Sequence, residues 1–327
     1  MKVCVTGGTG FTGAALASRL IEDGHQVNII DKQAGLMADE LKARGANLIL
    51  ADLADEDALG KALDNCEVVF HVAAAFREIN VPESEYYRVN VEGTRLVAAR
   101  CVEARVRKLV YCSTQGVHGD IHDPPGDENS PVAPADYYQA TKYEGELELQ
   151  AISDSDLEYT ILRPTAIYGP GDPGRFLMLF KQAKKGVFPM FGSGRTFYHP
   201  VYIDNLVDAF LLAAKPDTGS GQAYIIGDSE FVTIEDLVRR VAVSMDVQVS
   251  IPHFPLWPLS LAGRVCEAAC KPFGIRPPIF PRRVDWFQQV RAFRIDKAAR
   301  DLGYSPRIGL DEGLKRSCEW YREQGLI

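Results

Sequence analysis

Two short segments carry side chains suited to moving a proton at a substrate oxygen. One is Tyr137-Tyr138-Gln-Ala-Thr-Lys142, opening a helical pattern; the other is Ser113-Thr114, at the end of an apolar, β-prone run. Tyr138 and Lys142 stand four apart, so a helix carries both on one face, while Tyr137 has no such relation to the lysine. A phenol titrates at about 10, too high for a base at neutral pH. An adjacent ammonium stabilises the phenolate and draws that value toward working pH. Thr114, at the tip of a strand, would hydrogen-bond the substrate oxygen and align it. Tyr-x-x-x-Lys arises by chance on exposed helices, so its weight depends on what surrounds it.

The start of the chain supplies that context. In Thr6-Gly7-Gly8-Thr-Gly10-Phe11-Thr12-Gly13 an apolar strand (Val3 to Val5) meets a glycine turn, and a helical pattern (Leu16, Leu20, Ile21) follows. Strand, glycine turn and helix in this order form a dinucleotide site. The turn must be tight, and the backbone must approach a pyrophosphate without a Cβ in the way. The helix N-terminus then offers free N–H groups to the phosphates. The spacing is Gly-x-x-Gly-x-x-Gly, not Gly-x-Gly-x-x-Gly. The bland alternative is a plain glycine turn.

The next strand, Gln26 to Asp31, ends in a carboxylate able to hold an adenosine ribose 2′-OH and to repel a 2′-phosphate. NAD is therefore expected over NADP. Lys32 weighs against that preference, and an ordinary loop or capping acid is the alternative for Asp31. A positively charged nicotinamide ring beside Tyr138 would add to the effect of Lys142.

The 327 residues suffice for a large core, with 46% hydrophobic and 24% charged residues. A net charge of −8 without a long basic run argues against nucleic acid as a partner. The strand that begins almost at Met1 leaves no room for a signal peptide, and no long uncharged apolar stretch reads as membrane-spanning. Seven scattered cysteines read as reduced thiols, so the expected location is cytoplasmic. Cys266 and Cys270 lie one helical turn apart without a second ligand pair, and no metal is expected.

Strands at 2–6, 26–31, 47–51, 67–73, 108–113 and 158–163 alternate with helical patterns at 11–23, 34–44, 55–63, 84–104 and 136–152. That rhythm predicts an α/β fold, a Rossmann-type doubly wound parallel sheet. From about 165 glycines and prolines break it. A helix is expected at 202–214, a strand at 223–227, and further helices at 233–245, 259–271 and 311–324. The expected domains are a cofactor domain over 1–164, with 201–227 returning to it, and a mainly helical substrate region over 165–200 and 228–327.

With Tyr138, Lys142, Thr114 and the glycine turn in place, the chain resembles the extended short-chain dehydrogenase/reductase superfamily over essentially its whole length. Further matching elements are Asp52-Leu53, His71-Val-Ala-Ala74, Asn90-Val-Glu-Gly-Thr94, Arg163-Pro164…Tyr168-Gly-Pro170, Tyr202-Ile-Asp-Asn205 and Leu302-Gly-Tyr304-x-Pro306. The resemblance implies NAD as cofactor, held by Gly7, Gly10, Phe11, Thr12, Gly13, Asp31, Lys32, Asp52, Leu53, Ala73, Ala74, Ala75, Asn90, Tyr138, Lys142 and Pro164. Asp52 and Leu53 would flank the adenine, Ala73 and Ala74 would line the nicotinamide ribose, and Lys142 would also hold that ribose. His118 departs from the tyrosine usual in the family.

Members acting on nucleotide sugars commonly bring an asparagine after the sixth strand and an arginine before the following short strand to the diphosphate. Here Ala166 and Tyr198 stand at those places, with Arg195 a substitute for the arginine. A diphosphate wants charged or forked donors. The expected activity is therefore NAD-dependent oxidation of a secondary alcohol, or the reverse reduction, on a small-molecule substrate that is 3β-hydroxysteroid- or sterol-like or related; the alternative is a nucleotide-sugar epimerase or dehydratase using tightly bound NAD. The segment 254–270, apolar on one face, reads as a core helix or as a peripheral membrane contact. The resemblance also implies a homodimer through the helices at 84–104 and 136–152.

Overall fold

The computed structural model describes residues 1–76, 81–152, 155–270 and 284–327. The cofactor half contains β1 (Lys2–Thr6), α1 (Phe11–Glu22), β2 (Gln26–Asp31), α2 (Ala38–Ala43), β3 (Asn47–Leu50), α3 (Glu56–Leu63) and β4 (Val68–His71). It continues through α4 (Glu83–Tyr87), a π-helical turn (Arg88–Glu92), α5 (Gly93–Glu103), β5 (Lys108–Cys112), α6 (Tyr137–Gln150) and β6 (Glu158–Pro164). Then come β7 (Ala166–Tyr168), α7 (Arg175–Ala183), β8 (Met190–Phe191), β9 (Phe197–Tyr198), β10 (Pro200–Tyr202), α8 (Ile203–Ala213) and β11 (Gln222–Ile226).

Seven strands pair in the order β11-β6-β5-β4-β1-β2-β3, every pairing parallel. The order reverses between β1 and β4, which opens a crevice at their carboxyl ends, where doubly wound sheets take ligands. Strand alternation makes both faces apolar. In β1, Val3 and Val5 join a core with Leu16 and Leu20 of α1 and Phe210 of α8. Cys4 points the other way, into a core with Leu59 of α3, Val97 of α5 and Leu149 of α6. β11 extends the sheet beside β6, so residues 222–226 lie in the same sheet as the cofactor strands. A third core gathers Phe176 and Phe180 of α7, Leu237 and Val241 of α9 (Ile234–Ser244), and Leu314 and Tyr321 of the last helix (Leu310–Glu323).

The six strands expected before residue 164 are present, within one or two residues at their ends. The helix expected at 34–44 shrinks to Ala38–Ala43. The single helix expected at 84–104 is interrupted by the π turn, whose extra residue turns both Arg88 and Asn90 toward the carboxyl end of the sheet. α7 was not expected as a helix, because Pro173-Gly174, Gly186 and Pro189 read as marks of loops and short elements. The helix expected at 259–271 begins earlier, at Leu256 (α10, Leu256–Cys270); Lys271 lies outside the described residues. Among the described residues, no helix is long and apolar enough to cross a membrane.

Candidate active site

The glycine turn joins β1 to α1 over the reversal point. Gly7 has φ +67°, and a Cβ there would lie 2.6 Å from Ala73 Cα. A Cβ on Gly13 would overlap the Gly7 carbonyl. These two glycines are thus required by the turn itself, whereas Gly10 is exposed and tolerates a Cβ within the protein. Gly10 caps α1 without a side-chain hydrogen bond, and the first turn, with Phe11 and Thr12 half-buried, carries no acid. An anion would meet only backbone N–H groups there.

Asp31, at the tip of β2, accepts from Thr9 N at 3.0 Å and Thr9 Oγ1 at 2.7 Å, both through Oδ2. Lys32 beside it is exposed. Past β3, Asp52 takes the fork of Arg88: Nη1 to Oδ1 at 2.8 Å and Nη2 to Oδ2 at 2.9 Å. Arg88 also donates to Glu85 at 2.8 Å, and its guanidinium holds the Asp52 carboxyl below the usual range. Leu53 lies half-buried against Gly93.

Beyond β4, Ala73 N donates to Thr6 Oγ1 at 3.2 Å, and Ala75 N donates to Asn90 Oδ1 at 2.9 Å. Asn90 is fully buried, and its Nδ2 donates to Ala75 O at 3.2 Å and Thr141 Oγ1 at 3.0 Å. Its amide is therefore spent on fastening the 73–75 segment to α6. Ala73 and Ala74 are half-buried, Ala75 is buried, and Pro164 ends β6 in the interior. Under this segment, His71 lies between Thr6 Oγ1 (2.7 Å) and Thr94 Oγ1 (3.0 Å), stacked on Tyr111; burial and Lys142 push it down to about 3.

Thr114 follows β5. Its Oγ1 accepts from Gly116 N at 3.0 Å and so caps the 3₁₀ turn Gln115–His118, leaving its own O–H to donate elsewhere. That turn rests on the first turn of α6, where Gly116 meets the Gln139 side chain. Asp136 caps α6, accepting from Gln139 N at 2.8 Å, which fixes where Tyr138 begins. Tyr138 is 7% exposed, edge-on to Phe76 with centroids 5.2 Å apart. Lys142, one turn on, lies over the Tyr111 ring; its Nζ is buried with no hydrogen-bond partner among the described residues, and burial brings it down to about 8. Tyr137 is half-buried and meets Tyr86 edge-on.

These features fit a dinucleotide. The glycine turn has no room for side chains, the helix start has no side-chain cap, and the buried Lys142 ammonium has no hydrogen-bond partner among the described residues, which a ribose hydroxyl would supply.

Residues 3–227 match the model of the NAD dependent epimerase/dehydratase family. The chain belongs to that family. Its cofactor is accordingly NAD. An Arabidopsis thaliana 3beta-hydroxysteroid-dehydrogenase/decarboxylase, isoform 1, is 31% identical, over 96% of this chain and 78% of that protein. A 2-alkyl-3-oxoalkanoate reductase of Stenotrophomonas maltophilia is also 31% identical, over 97% and 98% respectively. Among solved structures, a Thermotoga maritima UDP-glucose 4-epimerase with UDP-glucose superimposes with a TM-score of 0.80 at 25% identity, over 99% of both chains.

Sequence reasoning missed two arrangements in this family member. Arg175, at the start of α7, donates to Tyr198 Oη at 3.1 Å, while Arg195 is exposed. A buried chain of Ser113, Glu146, Arg163 and His118 runs beneath Thr114. Glu146 was accessible in principle, since it stands four residues after Lys142 on the same helical face.

Proposed function

We propose that the protein is an NAD-dependent oxidoreductase of a secondary alcohol, with a 3β-hydroxysteroid- or sterol-like substrate. The carrying observation is the buried Lys142 ammonium, without a hydrogen-bond partner among the described residues, one helical turn from the buried Tyr138. Bound NAD supplies the acceptor for the carbinol hydrogen and its electron pair. Tyr138, as phenolate, takes the hydroxyl proton as the C=O forms. Lys142 stabilises that phenolate and holds the nicotinamide ribose. Thr114 donates its free O–H to the substrate oxygen and fixes its direction. Asp31, with Lys32 beside it, holds the adenosine ribose, Asp52 and Leu53 the adenine, and Gly7 through Gly13 the pyrophosphate. Ala73 to Ala75 and Pro164 line the nicotinamide side, and Asn90 acts through Ala75.

In the same reading, residues 1–164 and 201–227 form the cofactor domain and the remainder binds substrate. Two copies pair through α4–α5 and α6, whose adjoining surfaces expose Tyr87 and Leu147 beside the Arg95–Glu148 ion pair. The seven unpaired thiols suit the cytoplasm.

A nucleotide-sugar epimerase is the second reading, favoured by Arg175 at Tyr198, a charged donor beside the position where the family's diphosphate-binding arginine is absent. The deciding experiment incubates the protein with NAD and, in turn, 3β-hydroxysteroids with and without a 4α-carboxylate, and UDP-sugars. Net NADH formation with the steroids supports the first reading. Isomerised UDP-sugar without net NADH supports the second and rejects the first.

A further inference from the structure

The chain of buried polar side chains under the Thr114 turn ends on α6. Ser113 Oγ donates to Glu146 Oε1. Arg163 grips the same carboxylate, Nε to Oε1 at 3.0 Å and Nη2 to Oε2 at 2.6 Å. Its remaining Nη1 lies 3.0 Å from His118 Nε2, and His118 Nδ1 lies 2.9 Å from the Ser130 carbonyl. Glu146 and His118 are 0% and 1% exposed. A guanidinium can only donate, so Nε2 accepts and the ring proton sits on Nδ1, donated to Ser130. His118 is thereby held as one neutral tautomer. A second proton on Nε2 would face the Arg163 N–H.

The charged groups facing His118 are Arg163 of β6 and Glu146 of α6; Ser130 and Pro131 offer carbonyls, and the Phe293 ring lies 5.9 Å away. Burial, with Arg163, holds the imidazole below its ordinary value.

Both ends of this chain of bonds matter for the reaction. His118 closes the 3₁₀ turn that Thr114 caps, and the chain leaves that turn at Gly119 with φ +66°. Glu146 stands one helical turn beyond Lys142. We propose that His118 is a positioning residue: its neutral imidazole, through Arg163 and Glu146, fixes the Thr114 hydroxyl relative to Tyr138. Both ring nitrogens are engaged within the protein, so His118 acts through Arg163 rather than on the substrate, and it stands where the resembling superfamily carries tyrosine. The inference rests on Thr114 and Tyr138 acting as proposed above.

The test compares H118F and H118N in the full chain, by NADH formation from a 3β-hydroxysteroid and by NAD titration. Phenylalanine leaves Arg163 Nη1 unpaired and frees the turn. Displacement of a reacting group by about 1 Å costs on the order of a hundredfold, so kcat should fall by roughly tenfold to a hundredfold with the NAD Kd unchanged. Asparagine can accept from Arg163 and donate to Ser130, so H118N should recover most of kcat. The acid limb set by Tyr138 is common to both proteins, but wild-type kcat should fall more steeply on acidification than that of H118N, as the imidazole takes a second proton. Wild-type kcat in H118F, parallel loss of kcat and NAD affinity, or an acid limb as steep in H118N as in wild type would each overturn the proposal. If H118F does not fold, the H118N profile decides. The underlying reading fails separately, if Tyr138→Phe and Thr114→Val leave kcat intact.

Discussion

Lys142 holds its ammonium 4.1 Å from the centroid of the Tyr111 ring, buried and, among the described residues, without a hydrogen-bond partner. An unpaired buried charge is costly, and burial brings this one down to about 8. The fold tolerates an unfavourable group that a ribose hydroxyl would satisfy.

Lys142→Met should therefore separate stability from binding. Methionine fills the same apolar channel without the charge, so the cofactor-free protein should melt several degrees higher at neutral pH. The sign follows from the lowered value. Between about pH 8 and 10.5 the unfolded chain binds the lysine proton and the fold resists it, so the penalty is complete below pH 8. NAD affinity should drop by roughly tenfold to a hundredfold, the loss of a charge-assisted hydrogen bond of about 1.5–3 kcal/mol. Differential scanning calorimetry with and without NAD reads both effects. A lower cofactor-free melting temperature with unchanged NAD affinity contradicts this role.

Asp31→Ala should narrow the preference for NAD over NADP, because the carboxylate that repels a 2′-phosphate is gone while Lys32 remains. NAD affinity should itself fall, since Asp31 also accepts from Thr9 N and Oγ1 and so holds the glycine turn against β2. Calorimetric titration of both cofactors measures this. Tighter NADP binding by the wild type would reverse the specificity assignment.

What could be read from the sequence follows the range of each interaction. The sheet was legible because each of its first six strands is an apolar run between punctuating residues, and Asp31 marks a strand tip. Tyr138 and Lys142 were legible because helical spacing places them on one face. The π turn was not: one inserted residue leaves the apolar pattern of 84–104 continuous, though it aims Arg88 at Asp52 and Asn90 at Ala75. Nor was the Arg163–His118 contact, whose partners are 45 residues apart on a strand and a turn that only the parallel crossover brings together. Arg175 escaped because Pro173-Gly174 reads as loop, while the helix it opens is held by contacts with α9.

Acid sensitivity should divide between buried histidines and buried aspartates. His199 is pushed down to about 4 by burial and donates its Nε2–H to the Asp228 backbone carbonyl, 2.8 Å away. An unfolded histidine protonates at about 6.5. As pH falls through that value the unfolded chain gains a proton that the fold refuses, and stability is lost toward pH 4. Asp228, pushed up to about 7 by burial, works in the opposite sense: the fold binds its proton first, so stability is regained as pH falls through 7. His199→Gln should thus lose less stability than wild type between about pH 6.5 and 5, and Asp228→Asn should lose more. Urea midpoints at the two pH values give the comparison, and identical slopes for all three proteins would refute it.

Tyr138→Phe should lower kcat by on the order of 10²–10⁴, the usual cost of losing a general base. Only the hydroxyl is removed, and the ring keeps its edge-on contact with Phe76, so the fold and the NAD site should remain. NAD titration should accordingly return a near-wild-type Kd, which separates this variant from Lys142→Met. Tyr137→Phe is the internal control. One residue earlier on α6, its side chain points about 100° around the helix, toward Tyr86 rather than the crevice. Its kcat should match wild type within about a factor of two, as expected for a surface change of under about 0.5 kcal/mol. The informative comparison is single-turnover NADH formation by the two variants side by side, since that step contains the proton transfer. Equal damage from both substitutions, or near-normal turnover by Tyr138→Phe, would assign the base to a different group.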